Sequence, residues 1–317
     1  MEPSIAALGG RSPGRVIKRY LLATRPKFLT ASVLPVLLGT AAGFAMTGSV
    51  NAEVFVLALA ATVFVHAGAN VINDVFDETT GNDGINEGRI YPFTGGSRFI
   101  QNGVLDVGQM TRWALLLLAM GAVAGIGLAA VKGLMVIGFG LVGIGLGVLY
   151  SAPPVRLSGR GLGEVAVGIA FGVLPVMGAA WLQSGALTIG LFLLSLPVGL
   201  WVTSILVINE VPDIDADGQS GRRTLIVQLG TQGGRLLYIA LQLAALAATV
   251  AAAYVGMVPL WAAIVPALIA GGAFVAGGGI VDPGEDAVRL RKSIEMTLAS
   301  HAIGTLWLVI AVATKGL

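Results

Sequence analysis

The sequence predicts an all-α polytopic membrane protein: a bundle of nine transmembrane helices around a central cavity. Three observations carry this. Of the residues 56% are hydrophobic and only 11% charged, too few charges to clothe a soluble fold of 317 residues. The apolar residues come in repeated blocks of about 20, the length a helix needs to cross a hydrocarbon core of roughly 30 Å. The 46 glycines suit close helix packing in lipid better than they suit soluble helices.

Residues 1–20 are polar and basic (RSPGRVIKRY). They lack the apolar core and cleavage site of a secretory signal peptide, so they are expected to stay on the protein as a cytoplasmic segment ahead of a single integral membrane domain, 21–317. Crossings are expected at about 27–46, 52–72, 111–130, 133–150, 165–182, 189–208, 235–254, 258–278 and 295–314. With the N-terminus inside, the inner segments and the membrane-edge residues Lys27, Arg112 and Arg235 hold 17 of the 19 Lys and Arg, leaving Lys132 and Lys315 outside. That asymmetry predicts a cytoplasmic N-terminus and a C-terminus on the opposite side, in a prokaryotic inner or plasma membrane. Most acids also fall in the inner loops, so the chemistry is expected at the cytoplasmic face.

The absence of cysteine excludes disulfides, thiolate metal sites and a thiol nucleophile. No basic tract with interleaved aromatics points to nucleic acid. His66 and His301 stand alone in apolar segments and read first as packing or locally hydrogen-bonded residues, with a role beside a cavity as the alternative; His66, one helical turn before Asn70, is placed to approach a ligand, though nothing in the sequence requires it as a general base. Asp106 and the group Asp282, Glu285 and Asp286 read as solvated surface.

Two stretches stand apart. NVINDVFDETTGND ends the second span and places Asn70, Asp74 and Asp77 at i, i+4 and i+7, one helical face, with Asp83 beyond the helix end. NEVPDIDADGQSGRRT ends the sixth span and repeats the theme with Asn209, Asp213 and Asp217, forming a weak internal repeat. Clustered carboxylates repel one another and resist burial, and a divalent cation offsets both costs. The all-oxygen set fits Mg²⁺ better than Zn²⁺, with diphosphate and water completing the shell. Capping and solvation is the bland reading of either cluster alone; two at matching span ends make it a poor account. Arg89 and Arg98 follow the first cluster, Arg222 and Arg223 follow the second, Lys27 starts the first span, and Arg156 and Arg160 lie in the short loop between the fourth and fifth spans; all are candidates for an anionic ligand, though each alone also reads as a headgroup contact. PFTGGSR, ending at Arg98, is a glycine-rich loop able to wrap an anion, but it is not the GxxxxGK[ST] nucleotide loop. An ion-coupled transporter is the competing class, and it explains less well why the acids sit at span ends instead of mid-span.

These motifs, with RPKFLTASVLPVLLGT at the first span and YSAPPVRLSGRGLGE at 150–164, resemble the UbiA-type intramembrane prenyltransferase superfamily over about residues 20–315. GRRTLIVQLG and the 150–164 loop resemble its menaquinone branch, the 1,4-dihydroxy-2-naphthoate polyprenyltransferases. The resemblance implies a helical bundle whose two Asp-rich motifs bind Mg²⁺ and a polyprenyl diphosphate for transfer to an aromatic acceptor. It assigns Asp74, Asp77 and Asp83 to one metal group and Asp213 and Asp217 to the other. Asn70, Asn209, Lys27, Arg98, Arg156 and Arg223 become substrate-binding candidates. Glu78 competes with Asp83 as a ligand, and Glu210 reads as structural. Tyr150, at a span boundary, is a candidate to face the allylic cation with its ring; interfacial packing is the other reading. Other acceptors used in the superfamily (4-hydroxybenzoate, homogentisate, a porphyrin, chlorophyllide, lipid glycerol phosphate) stay open, as do tail length and oligomeric state.

Overall fold

The computed structural model describes residues 2–282 and 285–315, except the side chains of Asn82 and Asp83. Among the described residues the regular structure is entirely helical. An amphipathic helix α1 (Pro13–Ala23) leads into α2 (Pro26–Thr47), α3 (Ala52–Thr79), α4 (Val107–Lys132), α5 (Met135–Leu149), α6 (Gly163–Ser184) and α7 (Ile189–Asn209). A short helix α8 (Ile214–Gln219) precedes α9 (Leu225–Tyr254), α10 (Leu260–Gly277) and α11 (Ala287–Ala313). Eight of these are long and apolar enough to cross a membrane. The expected crossing at 133–150 is α5, a helix of 15 residues. At 1.5 Å per residue it measures about 22 Å, shorter than the hydrocarbon core.

Local signals set the helix starts. Asn51 and Thr188 cap α3 and α7, accepting from the N–H groups of Val54 and Leu191 at 3.0 and 3.1 Å. Asp106 forms a capping box with Gln109 at the start of α4, and Asp286 caps α11. These two aspartates, read from sequence as solvated surface, therefore stabilise helix ends. Helix α9 begins ten residues earlier than the expected span, because Thr224 caps a first turn that Gly230 (φ +67°) separates from the apolar run.

Glycine allows close approach of α6 and α7: a Cβ on Gly172 would lie 2.2 Å from the Cα of Gly199. In the same region α6 widens into a π turn over Ile169–Val173. Pro175, which has no N–H to donate, follows directly, and the hydrogen-bond register slips ahead of it. Phe171 lies on that turn, with its ring edge-on to His66 of α3 and the centroids 4.4 Å apart.

Helix α3 has 28 residues, about 42 Å, so its last two turns extend past a 30 Å core. Those turns carry Asn73, Asp74 and Asp77. The second acidic stretch is built differently. The sequence read the second stretch as repeating the one-face geometry of the first, a short oxygen-rich column through Asn209, Asp213 and Asp217; it does not form, because α7 stops at Asn209, the chain turns through Pro212, and Asp213 sits ahead of α8. Proline at 212 disfavours helix at the residue before it and removes a helix donor, which breaks the column.

Candidate active site

The two acidic stretches meet at one end of the bundle. Asp74, Asp77 and Asp217 are buried, and the guanidinium of Arg222 joins two of them. It donates to Asp77 and lies 3.5 Å from an Asp217 oxygen. Burial lowers the Arg222 pKa, but the Asp77 and Asp217 carboxylates outweigh it, and the proton is held more tightly than in water. Arg222 thus supplies positive charge between the motifs.

The loop after α3 straps the clusters together. The Ser97 N–H lies 3.2 and 3.3 Å from the two oxygens of Asp74. Asn86 donates to Asp213 at 2.7 Å, and Thr94 and the Gly95 N–H add further bonds to it. Gly95 and Gly96 both have φ near +75°, a conformation that suits glycine at this sharp turn. The PFTGGSR segment therefore aims donors at carboxylates on both sides of the site. Glu2 pairs with Arg89 at 2.9 Å, and Arg89 donates to the Asn86 carbonyl at 2.7 Å, so the N-terminal segment braces the strap.

Burial pushes the Asp213 carboxyl up to about 6, against the hydrogen bonds from Asn86, Thr94 and Gly95, although the residue is only half-buried. Burial likewise holds Glu210 well above the usual carboxylate range, and repulsion from Glu164 and Asp217 adds to it. Glu164 is itself 1% exposed and accepts the Leu225 N–H at 2.7 Å, pinning the start of α9.

Beneath the acids lies a pocket of about 560 Å³ with mostly apolar walls drawn from α2 through α7 and α11. Its polar end holds Arg25, Asn70, Asn73, Tyr150 and Asn209. Asn70 donates to the Thr24 carbonyl at 3.0 Å, and Asn73 donates to Ser151 at 2.7 Å and Asp77 at 3.2 Å. The Asn209 side-chain oxygen is buried without a hydrogen-bond partner among the described residues. That orphaned oxygen beside buried carboxylates suits a hard cation, and the all-oxygen donor set fits Mg²⁺. Among the described residues no three acidic or histidine side chains converge tightly enough to enclose an ion. The arrangement is a split one, with ligand positions left for water and substrate oxygens.

The cations named from sequence are scattered. Lys27 is exposed, with its ammonium 5.5 Å from the Phe93 ring centroid, and Arg223 is exposed beside the inward-turned Arg222. Arg98 is buried with φ +64°, and Arg156 is half-buried on its loop. Glu78 accepts from Gln101 at 2.8 Å. The Asp83 side chain lies outside the described residues. Sequence reasoning passed over Arg25, Asn73 and Asn86 and chose Arg223 as the substrate contact, whereas it is Arg222 that meets Asp77 and Asp217. The N-x-x-x-D spacing of Asn73 with Asp77 was the available signal; Arg25 and Asn86 offered none, because their partners lie 68 and 127 residues away.

Paired acidic stretches over an apolar pocket, in a bundle of membrane-length helices, define an integral membrane protein whose site joins a charged mouth to an apolar chamber. Residues 32–312 match the family model described as the UbiA prenyltransferase family, and the chain belongs to that family. It is a prenyltransferase, which removes the transporter reading. The chain is 30% identical to 1,4-dihydroxy-2-naphthoate octaprenyltransferase of Haemophilus influenzae over 73% of its length and 75% of the relative's. It is 31% identical to 2-carboxy-1,4-naphthoquinone phytyltransferase of Synechocystis over 68% of each chain. The Escherichia coli 1,4-dihydroxy-2-naphthoate octaprenyltransferase is 28% identical over 92% of this chain and 94% of its own. A UbiA homolog from Archaeoglobus fulgidus, solved bound to GPP and Mg²⁺, shares the fold with a TM-score of 0.64 at 16% identity, covering 93% of this chain and all of that one.

Proposed function

We propose that this prenyltransferase moves a polyprenyl group from its diphosphate to an aromatic acceptor, 1,4-dihydroxy-2-naphthoate, with Mg²⁺ as cofactor. The observation that carries the reading is the Arg222 bridge between Asp77 and Asp217 at the mouth of the apolar pocket, a place built for alternating charge. The naphthoate-prenylating relatives support the acceptor.

Asp74, Asp77, Asp213 and Asp217 would hold the metal, with Asp83 as a further candidate, while Asn70 and Asn209 would orient water or diphosphate oxygen. Bound Mg²⁺ supplies positive charge where the departing diphosphate gathers negative charge. Arg222 stands nearest to share that work, with Lys27, Arg98, Arg156 and Arg223 as outer diphosphate contacts. The prenyl C–O bond breaks and the electron pair leaves with the diphosphate. The ring carbon bearing the carboxylate attacks the allylic carbon, a C–C bond forms, and the C–CO₂ bond breaks to return its electron pair to the ring. Tyr150 lines the pocket with an aromatic face suited to the cationic carbon. The apolar walls exclude water, which would otherwise capture that carbon.

In this reading the pocket is the central chamber of one membrane domain, 21–317, and α5 completes a ninth crossing. Asn73 bonds Ser151, just past the end of α5, so α5 returns to the acidic end, where Trp113 near the start of α4 bonds the Tyr20 carbonyl. The N-terminus and acidic face then lie on the cytoplasmic side of a plasma membrane and the C-terminus lies opposite.

The test is prenyl transfer by purified protein in lipid with Mg²⁺, using several prenyl diphosphates against 1,4-dihydroxy-2-naphthoate and other acceptors. A prenylated, decarboxylated naphthoate lost in Asp74→Asn and Asp213→Asn is expected. Transfer to a different acceptor alone refutes the naphthoate assignment, and full activity in both variants refutes the site.

A further inference from the structure

The chain has two histidines, and both line the same pocket. They differ in one respect. The Nε2 of His301 is fully enclosed with no hydrogen-bond partner. The Nε2 of His66 also has no partner among the described residues, yet it is not among the enclosed unpartnered atoms. The pocket is the open volume that His66 lines, so its Nε2 meets that space.

The rest of the ring is fixed. Its Nδ1 lies 2.8 Å from the Ser32 hydroxyl of α2, and Phe171 on the π turn holds its edge. Ser32 is 1% exposed and makes no other side-chain hydrogen bond. If Nδ1 carried the proton, the Ser32 O–H would be left buried without an acceptor, which is costly. The satisfied arrangement has Ser32 donating to Nδ1, which puts the ring proton on Nε2, facing the pocket. His66 lies one helical turn deeper than Asn70 on the same face of α3, about 6 Å below the ring of polar groups at the mouth. With a diphosphate at the acidic mouth, as in the transfer reading above, a group at this depth would lie on the pocket side of it.

We propose that His66 is the acceptor-positioning residue: its Nε2–H donates a hydrogen bond to a ring oxygen of the aromatic acceptor and sets which ring carbon faces the prenyl group. This rests on the transfer reaction proposed above. Ser32 acts through His66, by holding the tautomer and the ring angle.

The experiment measures steady-state kinetics of His66→Leu, His66→Gln and Ser32→Ala in lipid, varying acceptor and prenyl diphosphate separately. A second arm uses an acceptor analogue in which a ring hydroxyl is replaced by hydrogen. For His66→Leu, kcat/KM for the acceptor falls about 10- to 100-fold while KM for prenyl diphosphate stays within twofold. His66→Gln, which retains a donor near the Nε2 position, recovers part of the loss, and Ser32→Ala shows a smaller loss of the same kind. The deoxy analogue penalises the parent protein but adds little further penalty in His66→Leu. Unchanged acceptor kinetics in His66→Leu, or equal losses for both substrates, or equal penalties from the analogue in parent and variant, overturn the assignment. Failure of the parent protein to prenylate any aromatic acceptor overturns the transfer reading as well, so the two failures are distinguishable.

Discussion

Replacing Arg222 with glutamine removes the guanidinium that Asp77 and Asp217 share and keeps most of the side-chain volume. The two acids are 7% and 4% exposed, so neither recovers full hydration when its partner is lost. Breaking a buried ion pair by removing one partner costs about 3–5 kcal/mol. The Asp217 contact, at 3.5 Å, is the looser of the two, which places the expected loss near 3 kcal/mol, about 100-fold in the unfolding equilibrium. Reversible unfolding by SDS in mixed micelles reads this directly, first with a chelator present and then with millimolar Mg²⁺. The loss should be largest with chelator and shrink by about 1 kcal/mol or more with Mg²⁺, because the ion compensates the same carboxylates. Adding Asp77→Asn to the variant should restore part of the stability, giving a coupling of about 1 kcal/mol or more. If Arg222→Gln unfolds within about 0.5 kcal/mol of the parent under chelation, the bridge contributes nothing and the argument for charge between the motifs falls.

Other expectations follow from single contacts. Asn86→Ala removes the 2.7 Å bond to Asp213 and should raise the Mg²⁺ concentration for half-maximal transfer about tenfold; an unchanged Mg²⁺ dependence means the strap does not order that carboxylate. Tyr150→Phe should keep most of the turnover while Tyr150→Leu loses about tenfold, and equal rates in the two would remove the aromatic-face role. Gly172→Ala drives a methyl group against the backbone of Gly199, which cannot rotate away, so it should destabilise by about 1–3 kcal/mol in the same unfolding assay. A stable Gly172→Ala protein would mean that α6 and α7 separate freely.

Asp74 and Asp77 were legible because they share one helix: a 3.6-residue period places them on one face wherever the helix packs. The second cluster was legible as composition only. Pro212 breaks its helix, so the register of Asn209, Asp213 and Asp217 follows from the turn and from Asn86, which lies 127 residues earlier. The cations were the least legible part. Arg222 and Arg223 are adjacent and chemically alike, and one backbone step turns the first toward Asp77 while the second meets solvent. Similarly Arg25 lines the pocket and Lys27, two residues on, is exposed over Phe93.

Sequence alone determined that this chain lives in a membrane, that its helices have membrane length, and that acidic side chains collect in two stretches at the ends of spans. Those properties follow from local composition and helical period, which each segment carries with it. Tertiary structure decided which cation faces the acids, which loop straps them, and which of the two pocket-lining histidines keeps its Nε2 open to the space. These depend on the orientation of side chains brought together from distant segments, and the energy differences that choose among them arise only when the helices pack.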